Sequence, residues 1–222
     1  PKPATLPIHG RPYGRPFAFQ ETYMSDPRSA AEILYPAQNK AVPGTARIEL
    51  HYLPVAHRGH AFLRLVDASG ETVGELHGLA QSKNTGEIMR MGMDGTDLVV
   101  RHEDGHRFGD KNTRPISVVA SGSDDKMARL WARGQKAADD INSKKFDYKA
   151  SDLSYEAGTD GGQIQNSNSV AFTLGRAMDL DLDGAVRAAG VGRKFPGWAR
   201  DLLDPKYERY VAPPDFPVTN AP

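Results

Sequence analysis

Between residues 45 and 120 the chain keeps a two-residue period. Ala46, Ile48 and Leu50 recur at alternate positions over 45–53, the pattern of a strand with one covered face. Residues 59–66 (GHAFLRLV) alternate as well, with Ala61, Leu63 and Leu65 on one side and Phe62 and Val66 on the other. Asp67-Ala68-Ser69-Gly70 is a turn signal. It predicts that 59–66 and 72–79 pair as an antiparallel hairpin. Residues 88–91, 97–101 and 116–120 are further strand candidates. Beyond 120 the period lengthens. Met127, Leu130, Trp131, Gly134, Ala138 and Ile141 form a helical stripe to about Asn142, entered through Ser123-Asp124-Asp125. Val170, Ala171, Leu174, Ala177 and Met178 mark a second helix. Asp26-Pro27 opens a short one over 28–34.

These elements predict an α+β fold with a mostly antiparallel sheet flanked by helices. Pro crowds both ends of the chain. The expected organisation is a Pro-rich N-terminal arm with a short helix (1–44), one central domain (45–190) and a C-terminal extension packed on it (191–222). No internal repeat points to a solenoid.

Charge narrows the function classes. Lys+Arg and Asp+Glu are both 28, so the formal net charge is zero. That speaks against a nucleic-acid binder, whose affinity needs excess positive charge. No apolar run approaches a membrane span, and no signal peptide opens this chain. Cysteine is absent, which removes disulfides, thiolate metal sites and a Cys nucleophile.

The second helix opens on Gln165-Asn166-Ser167-Asn168-Ser169, after the glycine-rich stretch 158–162. A Ser in a first helical turn lies near free backbone N–H groups and the positive end of the dipole. A hydrolase can hold a nucleophile and an oxyanion there. The same cluster also suits an N-cap, for which Ser and Asn are preferred. A Ser nucleophile needs a base. Of the seven His, His60 and His77 stand out, because they occupy matching ends of the predicted hairpin. His77 or Glu75 would orient His60, provided the register is right.

Other motifs are weaker. The run 179–184 (DLDLDG) begins like a calcium loop, but its twelfth position is Gly190, so the bidentate Glu is missing. It reads as a helix end followed by an acidic turn. His102 and His106 flank a turn and read as a solvated hairpin tip. Trp131 and Trp198 read as core. Neither a metal site nor a cofactor is expected.

The GHAFLRLVD and ELHG hairpin, the helix with Trp131 and the NSNSVAFTLGRAM helix resemble the circularly permuted papain-like hydrolases. That superfamily includes NlpC-type, PPPDE-type and lecithin:retinol acyltransferase-like enzymes. The chain also resembles Ser-bearing toxin-type domains of bacterial secreted effectors. The resemblance spans roughly 45–180. It implies Ser167 as nucleophile, His60 as general base and His77 in the orienting position. It implies Asn166, Asn168 and Glu75 in oxyanion or secondary roles. The expected activity is cleavage of an amide or ester bond in cell-wall peptide or lipid, by a delivered effector with a possible cognate immunity protein as partner. The family nucleophile is usually a thiolate, so a Ser leaves three readings. The chain is a true Ser hydrolase, a catalytically silent domain that binds a peptide, glycan or lipid in the same cleft, or a form in which Ser replaces Cys.

Overall fold

The computed structural model describes residues 43–55, 58–90, 92–150, 163–192 and 195–213. The predicted helix at 28–34 and the glycine-rich stretch 158–162 lie outside them. The fold is α+β. Five strands, β1 (Ala46–Val55), β2 (Arg58–Val66), β3 (Thr72–Gln81), β4 (Asp97–Asp104) and β5 (Arg114–Gly122), form one antiparallel sheet in the order β4-β3-β2-β1-β5. The described helices are α1 (Asp124–Ser143), α2 (Ser167–Ala177) and α3 (Leu182–Ala188). None of them is long and apolar enough to cross a membrane.

The predicted hairpin is β2–β3. Leu63 faces Leu76 and Arg64 faces Glu75. Asp67 closes the turn by accepting from the N–H groups of Ser69 and Glu71. Alternation sends Ala61, Leu63, Leu65 and Leu76 into the core against Met127, Trp131, Ile141, Val170 and Leu174 of the helices. The extension also contributes, since Phe195 and Leu202 are buried in the same core.

Three local expectations are corrected. Among the described residues of the candidate strand at 88–91, residues 88–90 form no strand, and Ile88 makes only an isolated bridge to Gln81. The chain reverses over 82–87, with Gly86 at φ +72°. β4 then takes the outer edge of β3 over Gly74–Gln81, so no ladder on that side remains for 88–90 to join. Residues 179–183 are more than a turn, because Asp181 caps α3 by accepting from Gly184 N–H. The tip at 102–106 is solvated as expected, with His102, Asp104 and His106 exposed, but it is no hairpin tip, because β4 pairs with β3 and β5 with β1. Gln135 hydrogen-bonds the His102 ring, and His106 Nδ1 lies 3.5 Å from the buried Glu75.

The sheet is not evenly zipped. The β2–β3 ladder runs from Val66–Thr72 to Leu63–Leu76 and ends there. Beyond it, β2 continues only with β1, and β3 only with β4. The N-terminus of α2 fills the opening between them. A Cβ on Gly78 would stand 2.6 Å from Val170 Cβ and 2.9 Å from Ser167 Cα. Only glycine lets the helix come this close to β3.

Candidate functional site

The opening between β2 and β3 is the floor of a cavity of about 530 Å³. That volume is typical of small-molecule sites, which run to about 300–1,000 Å³. His60, Gly78, Tyr148 and Ser167 all line it. Residues 60 and 167, far apart in sequence, therefore share one cavity. No hydrogen bond joins them directly.

Each polar residue at the start of α2 has a separate task. Asn166 is the cap, and its Oδ1 accepts from the N–H groups of Asn168 at 2.9 Å and Ser169 at 3.3 Å. Its Nδ2 donates to the carbonyls of Ala150 and Pro196. Asn168 Oδ1 accepts from Ala61 N–H at 2.9 Å, an amide beyond the end of the β2–β3 ladder, and its Nδ2 donates to Pro196 O. Ser169 Oγ lies within hydrogen-bonding distance of the carbonyls of Ile164 and Gly197. The Asn166 and Asn168 side chains line the cavity but are committed to the scaffold. Ser167 makes no such scaffold bond. Its hydroxyl and backbone N–H both act on the phenol of Tyr148, whose pKa is nonetheless raised because burial outweighs them. Tyr148 is itself hemmed in, since a Cβ on Gly92 would fall 2.5 Å from its hydroxyl oxygen.

Behind His60 runs a buried polar chain. His60 Nε2 is 3.0 Å from His77 Nδ1, and His77 Nε2 is 2.8 Å from Glu75 Oε2. Extending the Leu63–Leu76 register sets Phe62 opposite His77 and His60 on the same face. The rings agree, with centroids 4.4 Å apart for Phe62 and His77 and 5.3 Å for His60 and His77. Glu75 also accepts from Arg64 Nε and from the backbone N–H of Arg107, both at 2.9 Å. The segment 105–113 covers this face. Phe108 packs edge-on against both imidazoles, and Asp110 accepts from Arg64 Nη1.

Burial would raise the Glu75 pKa, but hydrogen bonds from His77, the Arg107 amide and Arg64 hold it at about 2. Burial drives the His60 pKa well below its ordinary value, and His77 and Arg107 add to the effect. His77 is also lowered by burial, against the opposing pull of Glu75. Near neutral pH the group is thus one carboxylate and two neutral imidazoles. This fixes the tautomers. Glu75 can only accept, so His77 donates from Nε2 and keeps a bare Nδ1. His60 then donates from Nε2, which leaves its own Nδ1 as the free base.

No known protein family, curated protein or solved structure matches the chain. The sequence reading did not single out Tyr148, Gly78 or Arg107 for the site. Tyr148 carries no local motif. Gly78 follows His77 directly, and a glycine inside a strand is itself a signal of close backbone approach. Among the described residues no cluster of His, Asp or Glu suits a metal ion. In the DLDLDG run, Asp179 pairs with Arg133, Asp181 caps α3 and Asp183 accepts from Trp198 Nε1.

Proposed function

We propose that the chain is an acyl hydrolase of permuted papain-like architecture, with Ser167 as nucleophile and His60 as general base. The observation that carries this reading is the Glu75–His77–His60 chain, which ends in the cavity that Ser167 lines. In the proposed reaction His60 Nδ1 takes the Ser167 proton as Oγ attacks the substrate carbonyl. The resulting imidazolium still donates from Nε2 to His77, which Glu75 holds in the required tautomer. The proton then passes to the leaving group, and water repeats the sequence to release the acyl group. Asn166 already occupies the N–H groups of Asn168 and Ser169. The oxyanion donors in this reading are the Tyr148 hydroxyl and the Ser167 N–H, the latter once substrate displaces its contact with the Tyr148 phenol oxygen. Apo hydrogen bonds between nucleophile and base often form only around substrate, in keeping with the missing Ser167–His60 bond. Within this proposal, the resemblance to delivered effectors supports a cell-wall peptide or lipid target and a cognate immunity protein.

The test is labelling by a fluorophosphonate together with turnover of activated esters. Parent protein should label at Ser167 and release product, and Ser167→Ala should do neither. Ser167→Cys should keep or raise turnover if Ser stands in place of a family thiolate. A second reading has its own support, because Ser167 is only 4% exposed and interacts with a buried Tyr148. If parent and Ser167→Cys are both inert yet a ligand binds in the cavity, the domain is a binding module. Product from Ser167→Ala equal to the parent would remove Ser167 from the mechanism.

A further inference from the structure

The charge around the cavity is one-sided. Arg58, Arg90 and Arg107 line it, and no Asp or Glu does so among the described residues. The chain as a whole has equal numbers of acidic and basic residues, so this is a local choice. Arg107 Nη1 pairs with Glu103, but its Nε is buried without a hydrogen-bond partner. That N–H has almost no accessible surface, so a ligand meets it only as the Arg107 side chain turns towards the cavity. Arg90, on the segment after the 82–87 reversal, is exposed. The remaining wall is largely apolar, with Leu79, Ile88, Met89 and Phe108.

We infer that the site takes an anionic amphiphile, an acyl compound whose carboxylate or phosphate is held by the arginines while its apolar part lies against Leu79, Ile88 and Met89. This specificity rests on the hydrolase reading for turnover, but not for binding. Guanidinium groups match both anions through charge-assisted hydrogen bonds, and the low dielectric of an apolar cavity strengthens them. A cationic compound of the same shape would be repelled by the arginines, and a neutral hydroxyl would accept from them only through a weaker hydrogen bond than an anion makes. The net charge of zero gives no long-range attraction for anions, so the preference is made inside the cavity.

The experiment has two arms on the whole chain. Calorimetry with Ser167→Ala compares octanoate, octyl phosphate and octanol. Both anions should bind about tenfold or more tighter than octanol, and raised salt should narrow the gap. Arg90→Glu, at an exposed position, should cut that preference by about tenfold without changing the thermal midpoint. The stronger of the two anions identifies the group the arginines fit. Turnover compares 4-nitrophenyl pentanoate with the mono-4-nitrophenyl ester of glutarate. The anionic ester should have the lower KM, and Arg90→Glu should reverse the order. Equal binding of octanol and both anions, or a preference untouched by Arg90→Glu, would overturn the inference even if both esters are cleaved. Failure of both esters alongside selective anion binding would overturn the hydrolase reading and leave this one standing.

Discussion

The two faces of the β2–β3 hairpin are both buried, and they solve burial in opposite ways. One face puts Leu63, Leu65 and Leu76 against the helices, in a core of apolar side chains. The other buries Arg64, Glu75 and His77, each at most 5% exposed, beneath the segment 105–113. The apolar face is stabilised by area removed from water, and small errors there are absorbed by repacking. The polar face depends on every group keeping its partner, because a buried charge left alone costs several kcal/mol. The first face holds the domain together. The second fixes protons at defined atoms.

Removing one partner on each face separates the two cases. Glu75→Ala should be the most damaging, at about 4 kcal/mol, since it takes the acceptor from His77 Nε2, the Arg107 amide and Arg64 Nε at once and leaves Arg64 only Asp110. Its stability loss in urea should exceed that of an Arg64→Met, Glu75→Leu double variant, which removes both charges. Equal losses would mean that the pair is not dry. On the apolar face, Leu76→Ala should cost about 3 kcal/mol through the cavity it leaves, with no partner able to rescue it. Gly78→Ala should cost about 2 kcal/mol by overpacking against Val170. If the hydrolase reading holds, it should also lower kcat more than its stability loss explains, because it pushes α2 and Ser167 away from β3.

The smallest effect is the pH dependence. The His60 and His77 pKa values are lowered in the fold, so the unfolded chain takes up protons first as pH falls through about 6.5. Stability should therefore begin to decline below that pH. The contribution of Glu75 is complete above about 4.5 and is lost as pH falls towards 2. If the hydrolase reading holds, the acid limb of kcat/KM should lie below pH 6.5, since His60 stays a free base there. A limb at or above 6.5 would show that His60 is not held neutral by burial.

Much of the apolar face was legible in advance, because alternation at 46–50 and 61–65 is a direct signature of a covered strand face. The hairpin and α1 followed from the same signal and from Ser123. The polar face was only half legible. His60, His77 and Glu75 could be named, since a turn at 67–70 fixes which residues face one another. What covers them could not, because residues 105–113 carry no periodic pattern and act through Phe108, Asp110 and the Arg107 amide. The α2 entry was ambiguous for a physical reason. Capping and nucleophile chemistry both call for small polar residues, and only the structure shows Asn166 to be the cap and Ser167 to line the cavity without a bond to the scaffold of the kind Asn166 and Asn168 make.

The bond from Ala61 N–H to Asn168 Oδ1 has a mechanical consequence. Where the sheet has come unzipped, a side chain from α2 replaces the missing strand neighbour, so helix and strand move as one body. The Ala61 amide should exchange with deuterium as slowly as the laddered amides of β2, although no β3 residue pairs with it. Ile88, Met89, Arg90, Arg107 and Phe108 line the cavity from outside this body, and the geometry around Ser167 should stay constant when a ligand displaces them.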